Sequence, residues 1–261
     1  MSDFDRNAAA PWGATAARAG TLDIDQGLRA YMLGVYNYMT LGLAITGLVA
    51  LGVNMLAVTA DPAATVSHLG SIGLTGFGAA IYLSPLRWLV MLAPVGFVLF
   101  FSFRIDRMSA ASAKTMFLAF SAVMGLSLSS ILLVYTGTSI ARAFFITSAS
   151  FGALSLYGYT TKRDLSAFGS FLVMGLIGLV LASVVNLFVQ SSAFQFGISI
   201  LSVLIFAGLT AWDTQTIKDM YYASDDYEVA TKKSVNGALM LYLDFINIFT
   251  SLLQLTGQRN D

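Results

Sequence analysis

The chain has 261 residues, of which 57% are hydrophobic and 11% are charged, and its formal net charge is zero. Soluble domains carry about 25% charged residues, so the composition indicates a polytopic membrane protein and excludes an ordinary soluble domain. A zero net charge gives no indication of nucleic-acid binding. The absence of cysteine excludes disulfides, thiol catalysis and cysteine-ligated metals, and the single histidine, His68, cannot form a histidine cluster.

The first 24 residues differ in composition from the rest of the chain. They combine charges of both signs with alanine and glycine, and they lack the apolar core of a cleavable signal peptide. We expect residues 1–24 to form a disordered cytoplasmic tail. Residues 25–256 are predicted to form one membrane domain, and residues 257–261 a C-terminal stub.

The membrane domain contains seven apolar segments. A helix needs about 20 mainly apolar residues to cross a bilayer, and the first, third and fifth segments contain no charged residue. The predicted fold is therefore an all-α, seven-transmembrane-helix bundle. The predicted spans are approximately residues 31–53, 88–103, 115–134, 143–159, 167–189, 194–213 and 235–256.

The distribution of basic residues predicts the orientation of these spans. With the N-terminus in the cytoplasm, 11 of the 14 Lys and Arg residues lie on the cytoplasmic side, as the positive-inside rule requires. The longest connection, residues 54–87, then lies outside and contains His68 and a series of glycines. We interpret it as a surface loop on the lipid headgroups; a flexible outer lid or an interfacial half-helix is the alternative.

Two acidic residues mark the candidate functional site. Asp244 lies in the middle of the seventh apolar segment, where a carboxylate is costly unless it is paired, protonated or hydrated. Asp213 lies nine residues before Tyr222, and Asp244 lies nine residues after Val235. If these two residues mark the helix ends, both carboxylates lie about 13–14 Å from the connection. Their predicted depths match, and antiparallel packing of the two helices could bring them into contact.

A polar stripe on the seventh helix supports this arrangement. Asn247, Ser251 and Gln254 follow Asp244 at spacings of three, four and three residues, so all four lie on one helical face. Such a stripe is expected to face the bundle interior or a hydrated cavity. The sixth helix carries a weaker stripe that includes Ser199, Ser202, Phe206, Thr210 and Asp213.

Two adjacent carboxyl groups predict a proton-dependent switch. They cannot easily both ionise in a low-dielectric site, so they would share one proton and titrate as a coupled pair. A cation that prefers oxygen ligands, such as Ca²⁺, could replace that proton. Two alternatives remain: Asp213 reaches the cytoplasm while Asp244 bonds nearby backbone, or the pair is a static lock between helices.

The two carboxylate segments resemble the Bax inhibitor-1 (transmembrane Bax-inhibitor-motif) family, and the resemblance extends over about residues 25–256. It implies a seven-helix bundle with the last helix at its centre. It also implies a pH-sensitive Ca²⁺ leak in which Asp213 and Asp244 form the pH-sensing pair and Arg104 is the basic partner of the closed state. The matching strings are Trp212-Asp213-Thr214-Gln215-Thr216-Ile217-Lys218 and Leu241-Tyr242-Leu243-Asp244-Phe245-Ile246-Asn247-Ile248-Phe249.

The chain departs from the pattern of some bacterial members of that family. Those members carry a carboxylate inside the second span, whereas this chain has Ala93 at the matching position, followed by Pro94. This difference puts conduction in doubt. The resemblance also implies, for bacterial members, modulation of a membrane-anchored protease and residence in the bacterial cytoplasmic (inner) membrane.

Three functions follow from these residues. The leading hypothesis is a Ca²⁺ leak gated by the aspartate pair, with Ca²⁺ or H⁺ as the transported or transiently bound ion and no resident cofactor. The alternatives are a regulatory membrane protein without ion flux and a proton-coupled transporter. An enzyme is not expected, because the chain lacks the Gly-x-Gly-Asp string of aspartyl intramembrane proteases and has no HExxH motif or phosphate-binding loop.

Overall fold

The computed structural model describes the backbone of residues 12–260 and the side chains of residues 26–105 and 107–260. Helix α1 begins at Trp12, immediately after Pro11, so it starts within the segment predicted to be a disordered tail. Residues 1–11 lie outside the described part of the chain. The helices are α1 (Trp12–Ala57), α2 (Gly76–Tyr82), α3 (Leu86–Arg104), α4 (Ala110–Leu128), α5 (Ile131–Val134), α6 (Gly137–Thr160), α7 (Ser166–Val189), α8 (Ser192–Asp219) and α9 (Tyr227–Thr256).

Seven segments of the described chain are long and apolar enough to cross a membrane, which confirms the predicted bundle. The third span is interrupted, because α4 ends at Leu128 and the short α5 completes it. Each observed span is longer than predicted, since polar helical turns extend beyond the apolar segments. The spans are Gln26–Ala57, Leu86–Arg104, Ala110–Val134, Gly137–Thr160, Ser166–Val189, Ser192–Asp219 and Tyr227–Thr256.

Helix α9 is the most buried of the seven spans. It packs against α1, α4, α6 and α8, whereas α3 packs mainly on α4 and α7 on α8. The last helix is therefore central, but only four of the six other spans contact it extensively. Its fully buried Tyr242 lies in the core, with the rings of Phe117 and Phe120 edge-on at 5.8 and 5.6 Å between centroids.

The long connection between the first two spans has regular structure. Strands β1 (Ser67–Leu69) and β2 (Ile72–Leu74) form an antiparallel hairpin, and Gly70 turns the chain with a φ of 60°. Helix α2 then docks on the end of α1, where a Cβ at Gly78 would overlap the carbonyl of Ala57. The predicted surface loop, residues 54–87, thus includes a hairpin and a short helix, and its position on the lipid headgroups stays a prediction.

The C-terminal stub is attached to the bundle. Asn260 donates its backbone N–H to the Val134 carbonyl at 2.9 Å, and Gln258 donates to the Ser139 hydroxyl at 2.9 Å. These bonds fasten the end of α9 to the junction between α5 and α6. The last turn of the central helix is thereby fixed at this end of the bundle.

Candidate paired-aspartate site

Asp213 and Asp244 are buried side chains on adjacent antiparallel helices. Asp213 lies on α8 and is 8% exposed, and Asp244 lies on α9 and is 3% exposed. The two helices pack along much of their lengths. The predicted partners are therefore on facing helices in the bundle interior, and Asp213 does not extend freely into solvent.

The carboxyl groups of Asp213 and Asp244 lie within hydrogen-bonding reach of each other. An ionised carboxylate can only accept hydrogen bonds, so a bond between these groups requires one proton. Among the side chains described, none donates to Asp244 Oδ2. The arrangement is chemically able to hold one shared proton, and loss of that proton would leave two adjacent anions.

The helix ends from which equal depths of Asp213 and Asp244 were predicted are wrong. The predicted pairing of positions along α8 and α9 is nevertheless close to that observed. Helix α8 ends at Asp219 and α9 begins at Tyr227, eight residues before Val235. A Cβ at Gly237 would lie 2.9 Å from Ile217 Cγ2, so these two positions face each other. Asp213 lies one turn before Ile217 on α8, and Asp244 lies two turns after Gly237 on α9. The first turns of α9 extend beyond the end of α8.

A hydrogen-bonded chain beside the pair joins three helices. Tyr36 Oη on α1 lies 2.6 Å from Ser155 Oγ on α6, which lies 2.9 Å from Thr214 Oγ1 on α8. Thr214 donates its own proton to the Thr210 carbonyl at 2.7 Å. Ser155 must therefore donate to Thr214, and Tyr36 to Ser155. The sequence did not predict these hydrogen bonds, because the bonded residues are separated by 119 and 59 positions along the sequence.

A second buried hydroxyl pair holds α9 on its opposite side. Tyr242 Oη lies 2.6 Å from Thr46 Oγ1, which is also 2.9 Å from the carbonyls of Gly42 and Ser121. Carbonyls only accept hydrogen bonds, so Thr46 donates to one of them and Tyr242 donates to Thr46. Tyr242, two residues before Asp244, is thus held to α1 by a buried hydrogen bond.

The polar stripe of α9 largely faces α8. Ser251 donates to Ser202 at 2.7 Å, and Gln254 Oε1 accepts from Ser199 and from Gln195, each at 2.9 Å. Asn247 instead donates to the Leu243 carbonyl of its own helix at 2.8 Å. The structure therefore joins two of the three predicted stripe residues to the stripe on α8.

A polar cavity of about 370 Å³ lies beside this stripe, between α7, α8 and α9. Its polar lining includes Ser183 and Asn247 in addition to the bonded residues of the stripe. An apolar cluster that includes Phe206, Leu209 and Ile248 lies at the end of the cavity nearer the aspartates. On α8, Phe206 and Leu209 lie between Ser202 and Asp213 and form an apolar seal, whereas on α9 Asn247 lines the cavity one turn from Asp244.

Arg104 forms no ion pair with Asp213 or Asp244 in the part of the chain that the structure describes. It is the last residue of α3, is exposed, and places its guanidinium 5.8 Å from the centre of the Phe100 ring. Shortly after it, Ala110 donates its N–H to Glu228 in the first turn of α9 at 3.2 Å. About 24 Å of helix separates Glu228 from Asp244. The role of Arg104 as the basic partner of the closed state stays a prediction.

The pair offers an incomplete set of ligands for a resident metal. Two carboxylates supply at most four oxygens, whereas Ca²⁺ takes about six to eight. No group of three or more His, Cys, Asp or Glu side chains suited to a metal occurs among the described residues. Asp213 and Asp244 fit a transient cation whose remaining ligands are water better than a permanently bound ion.

Comparison of the chain with known proteins identifies its family. The family described as inhibitor of apoptosis-promoting Bax1 matches residues 28–261. A protein of Rickettsia prowazekii is 47% identical over 237 residues, covering 91% of this chain and 93% of that relative. Inner membrane protein YbhL of Escherichia coli strain K12 is 43% identical over 235 residues, covering 89% and 93% respectively.

A shorter match has the same character. A membrane protein of Streptococcus pyogenes serotype M6 is 44% identical over 155 residues, covering 59% of this chain and 67% of that relative. The seven apolar helices and these relatives identify a multi-pass protein of the bacterial inner membrane. The chain belongs to the Bax inhibitor-1 family.

Proposed function

We propose that this protein is a pH-sensitive cation leak in which Asp213 and Asp244 form the gate. The observation that carries the proposal is the contact between two buried carboxyl groups on adjacent spans. Such a contact needs a proton, so it links the packing of α8 and α9 to pH. At low pH the shared proton holds the helices together, and at higher pH repulsion between the anions opens the path.

The arrangement of polar groups supports a pathway along α8 and α9. The polar cavity beside Ser202 and Ser251 provides a site for water and hydrated ions, and the aspartates provide negative charge farther along the same helices. Between them, on α8, the apolar seal of Phe206 and Leu209 blocks ions while the bundle is closed. Opening requires α8 and α9 to separate at the aspartate pair and at the apolar seal.

Calcium is the cation that we propose. Its preference for oxygen ligands and its tolerance of irregular coordination suit a carboxylate pair completed by water. We further propose that the protein is not an enzyme and needs no resident cofactor, because the candidate pathway contains no assembled nucleophile or phosphate-binding site. Calcium is then the transported ion, and H⁺ is the ligand that closes the gate.

Ca²⁺ flux into proteoliposomes of purified protein is the test. Wild-type flux is expected to rise from pH 6 to pH 8, by up to about tenfold per pH unit if one proton controls the gate. Asp213→Asn and Asp244→Asn are expected to lose this pH dependence, because an amide can donate to the remaining carboxylate without a shared proton.

Asp219→Asn is the matched control, since Asp219 is an exposed acid at the end of the same helix as Asp213. Its flux is expected to keep the wild-type pH profile. Wild-type pH dependence in both pair variants would show that the gate lies elsewhere. Flux indistinguishable from empty liposomes at every pH would show that the pair is a static lock.

The second candidate is a regulatory protein that binds a membrane partner, such as a membrane-anchored protease, without conducting ions. It is favoured by one observation: α3 contains no acidic residue and carries Ala93 and buried Pro94 in its middle, so the second span offers the pathway no carboxylate. Capture of partners by the full chain and by a chain lacking residues 1–24 tests this function. Equal capture by both chains would exclude the N-terminal segment as the binding element.

A further inference from the structure

A deep crevice separates α1 from α6 along the membrane-facing side of the bundle. These helices have few direct contacts, although both pack on α9. Two cavities, of about 720 and 430 Å³, occupy the gap in succession and share Leu43, Phe144 and Phe245 in their walls. The crevice therefore continues along both helices, with α9 as its floor.

The crevice has the dimensions and lining of a site for a lipid chain. The larger cavity extends along α1 from Arg29 to Leu43, which is about 21 Å of helix. One leaflet of a bilayer has a hydrocarbon thickness of about 15 Å. The smaller cavity is almost wholly apolar and is lined by side chains such as Leu51 and Phe145, which are 49% and 71% exposed. The crevice thus opens toward the lipid.

One end of the crevice carries positive charge. Arg29 lines the larger cavity and makes no ion pair with any side chain that the structure describes. Lys218 does not line the cavity itself, but its Nζ donates to the Tyr159 carbonyl at 3.0 Å and lies 5.7 Å from the centre of the Tyr159 ring. Tyr159 also lines the cavity. Two cations at the mouth of an apolar crevice complement an anionic headgroup above an acyl chain.

We propose that the crevice between α1 and α6 binds an anionic phospholipid of the cytoplasmic leaflet, with its phosphate at Arg29 and Lys218 and one acyl chain between the helices. The acyl chain would lie against Phe245, the residue that follows Asp244. It would also pass the Tyr36–Ser155 hydrogen bond that bridges α1 and α6. This site does not depend on ion conduction.

Two glycines allow a direct test of the crevice. A Cβ at Gly152, which lines the larger cavity, would meet nothing within 4 Å, and the same is true of Gly96 on α3. Gly152→Phe therefore fills the crevice, whereas Gly96→Phe adds the same side chain at another span. Ser148→Phe is a second filling variant, because Ser148 lines the same cavity and is half-buried.

Native mass spectrometry of the full chain in detergent, titrated with phosphatidylglycerol or phosphatidylcholine of identical chains, gives the measurement. The wild type is expected to retain one phosphatidylglycerol. The two filling variants are expected to bind it about tenfold more weakly, the effect of losing contact with about two methylene groups. Gly96→Phe is expected to match the wild type. Arg29→Gln is expected to reduce the preference for phosphatidylglycerol about fivefold.

Each outcome decides a part of the proposal. Unchanged binding in both filling variants, or equal loss in Gly96→Phe, would overturn the crevice as the binding site. An unchanged lipid preference in Arg29→Gln would overturn the headgroup assignment. Thermal unfolding of each variant confirms that a loss of binding occurs in folded protein. Ca²⁺ flux is not used as a readout, so failure of the leak proposal would leave this result intact.

Discussion

Replacing Gly158 with alanine is expected to lower the thermal unfolding temperature by about 10 °C, which corresponds to a loss of about 3–4 kcal/mol in a chain of this size. An added Cβ at Gly158 would overlap the carbonyl oxygen of Ala211 and lie 2.9 and 3.0 Å from its carbonyl carbon and Cα. These are backbone atoms of α8, which cannot move aside as a side chain would. The helices α6 and α8 would have to separate.

This separation would also disturb the candidate site. Ser155 and Thr214, each three residues from the Gly158–Ala211 contact, are joined by a 2.9 Å hydrogen bond. Both side chains are buried, so breaking that bond leaves the hydroxyl proton of Ser155 without an acceptor, at a cost of about 1–3 kcal/mol. Thr214 keeps its bond to the Thr210 carbonyl. Thr214 is adjacent to Asp213, and its displacement would alter the position of the carboxylate.

Gly152→Ala is the matched control for Gly158→Ala. It lies on the same helix, but its added Cβ meets nothing within 4 Å, and alanine is a better helix former than glycine by about 1 kcal/mol. Its unfolding temperature is expected to equal or exceed that of the wild type. Tryptophan fluorescence during heating in detergent measures both variants. A Gly158→Ala variant as stable as Gly152→Ala would show that α6 and α8 do not require this close contact.

The number and type of the helices follow from the sequence because the apolar segments are long. The helix ends do not follow from hydropathy, as α9 demonstrates. Its start at Tyr227 is set by Asp226, whose carboxylate accepts from the Val229 N–H, with Glu228 in the first turn. An aspartate at this position is a recognised start signal. The prediction near Val235 relied on the apolar segment and passed over this cap.

The sequence predicted only that the two aspartates lie at a similar depth. The apolar segments indicated a turn between two helices, and Asp213 and Asp244 lie the same number of residues from the helix ends predicted on either side of that turn. Which faces meet depends on packing, such as Gly237 against Ile217 and Gly169 beneath the Trp212 ring. The Tyr36–Ser155–Thr214 chain depends on three helices at once, and its hydroxyl residues have no distinguishing pattern in the sequence. Local periodicity therefore indicated the sixth and seventh spans but not the contribution of the first and fourth.

Phe206→Ser is expected to raise Ca²⁺ flux at pH 6, where the aspartate pair is closed, by about tenfold or more if apolar sealing limits conduction. Phe206 is 7% exposed, lines the polar cavity, and follows Ser202 on the face of α8 that leads to Asp213. A hydroxyl at this position would extend the polar cavity toward the pair and allow water to enter. The same substitution removes a buried ring, so a loss of about 3–5 kcal/mol in stability is also expected.

Leu204→Ser separates the two effects. Leu204 lies one half-turn away on the same helix and is 63% exposed, so its serine variant adds the same hydroxyl on the lipid-facing side and leaves the seal intact. Phe206→Leu keeps the site apolar and is expected to retain low flux at pH 6. If Phe206→Ser is folded yet conducts no more than Leu204→Ser, the apolar cluster is not the barrier. The aspartates would then have to form the whole gate, because they are the remaining element of the proposed path.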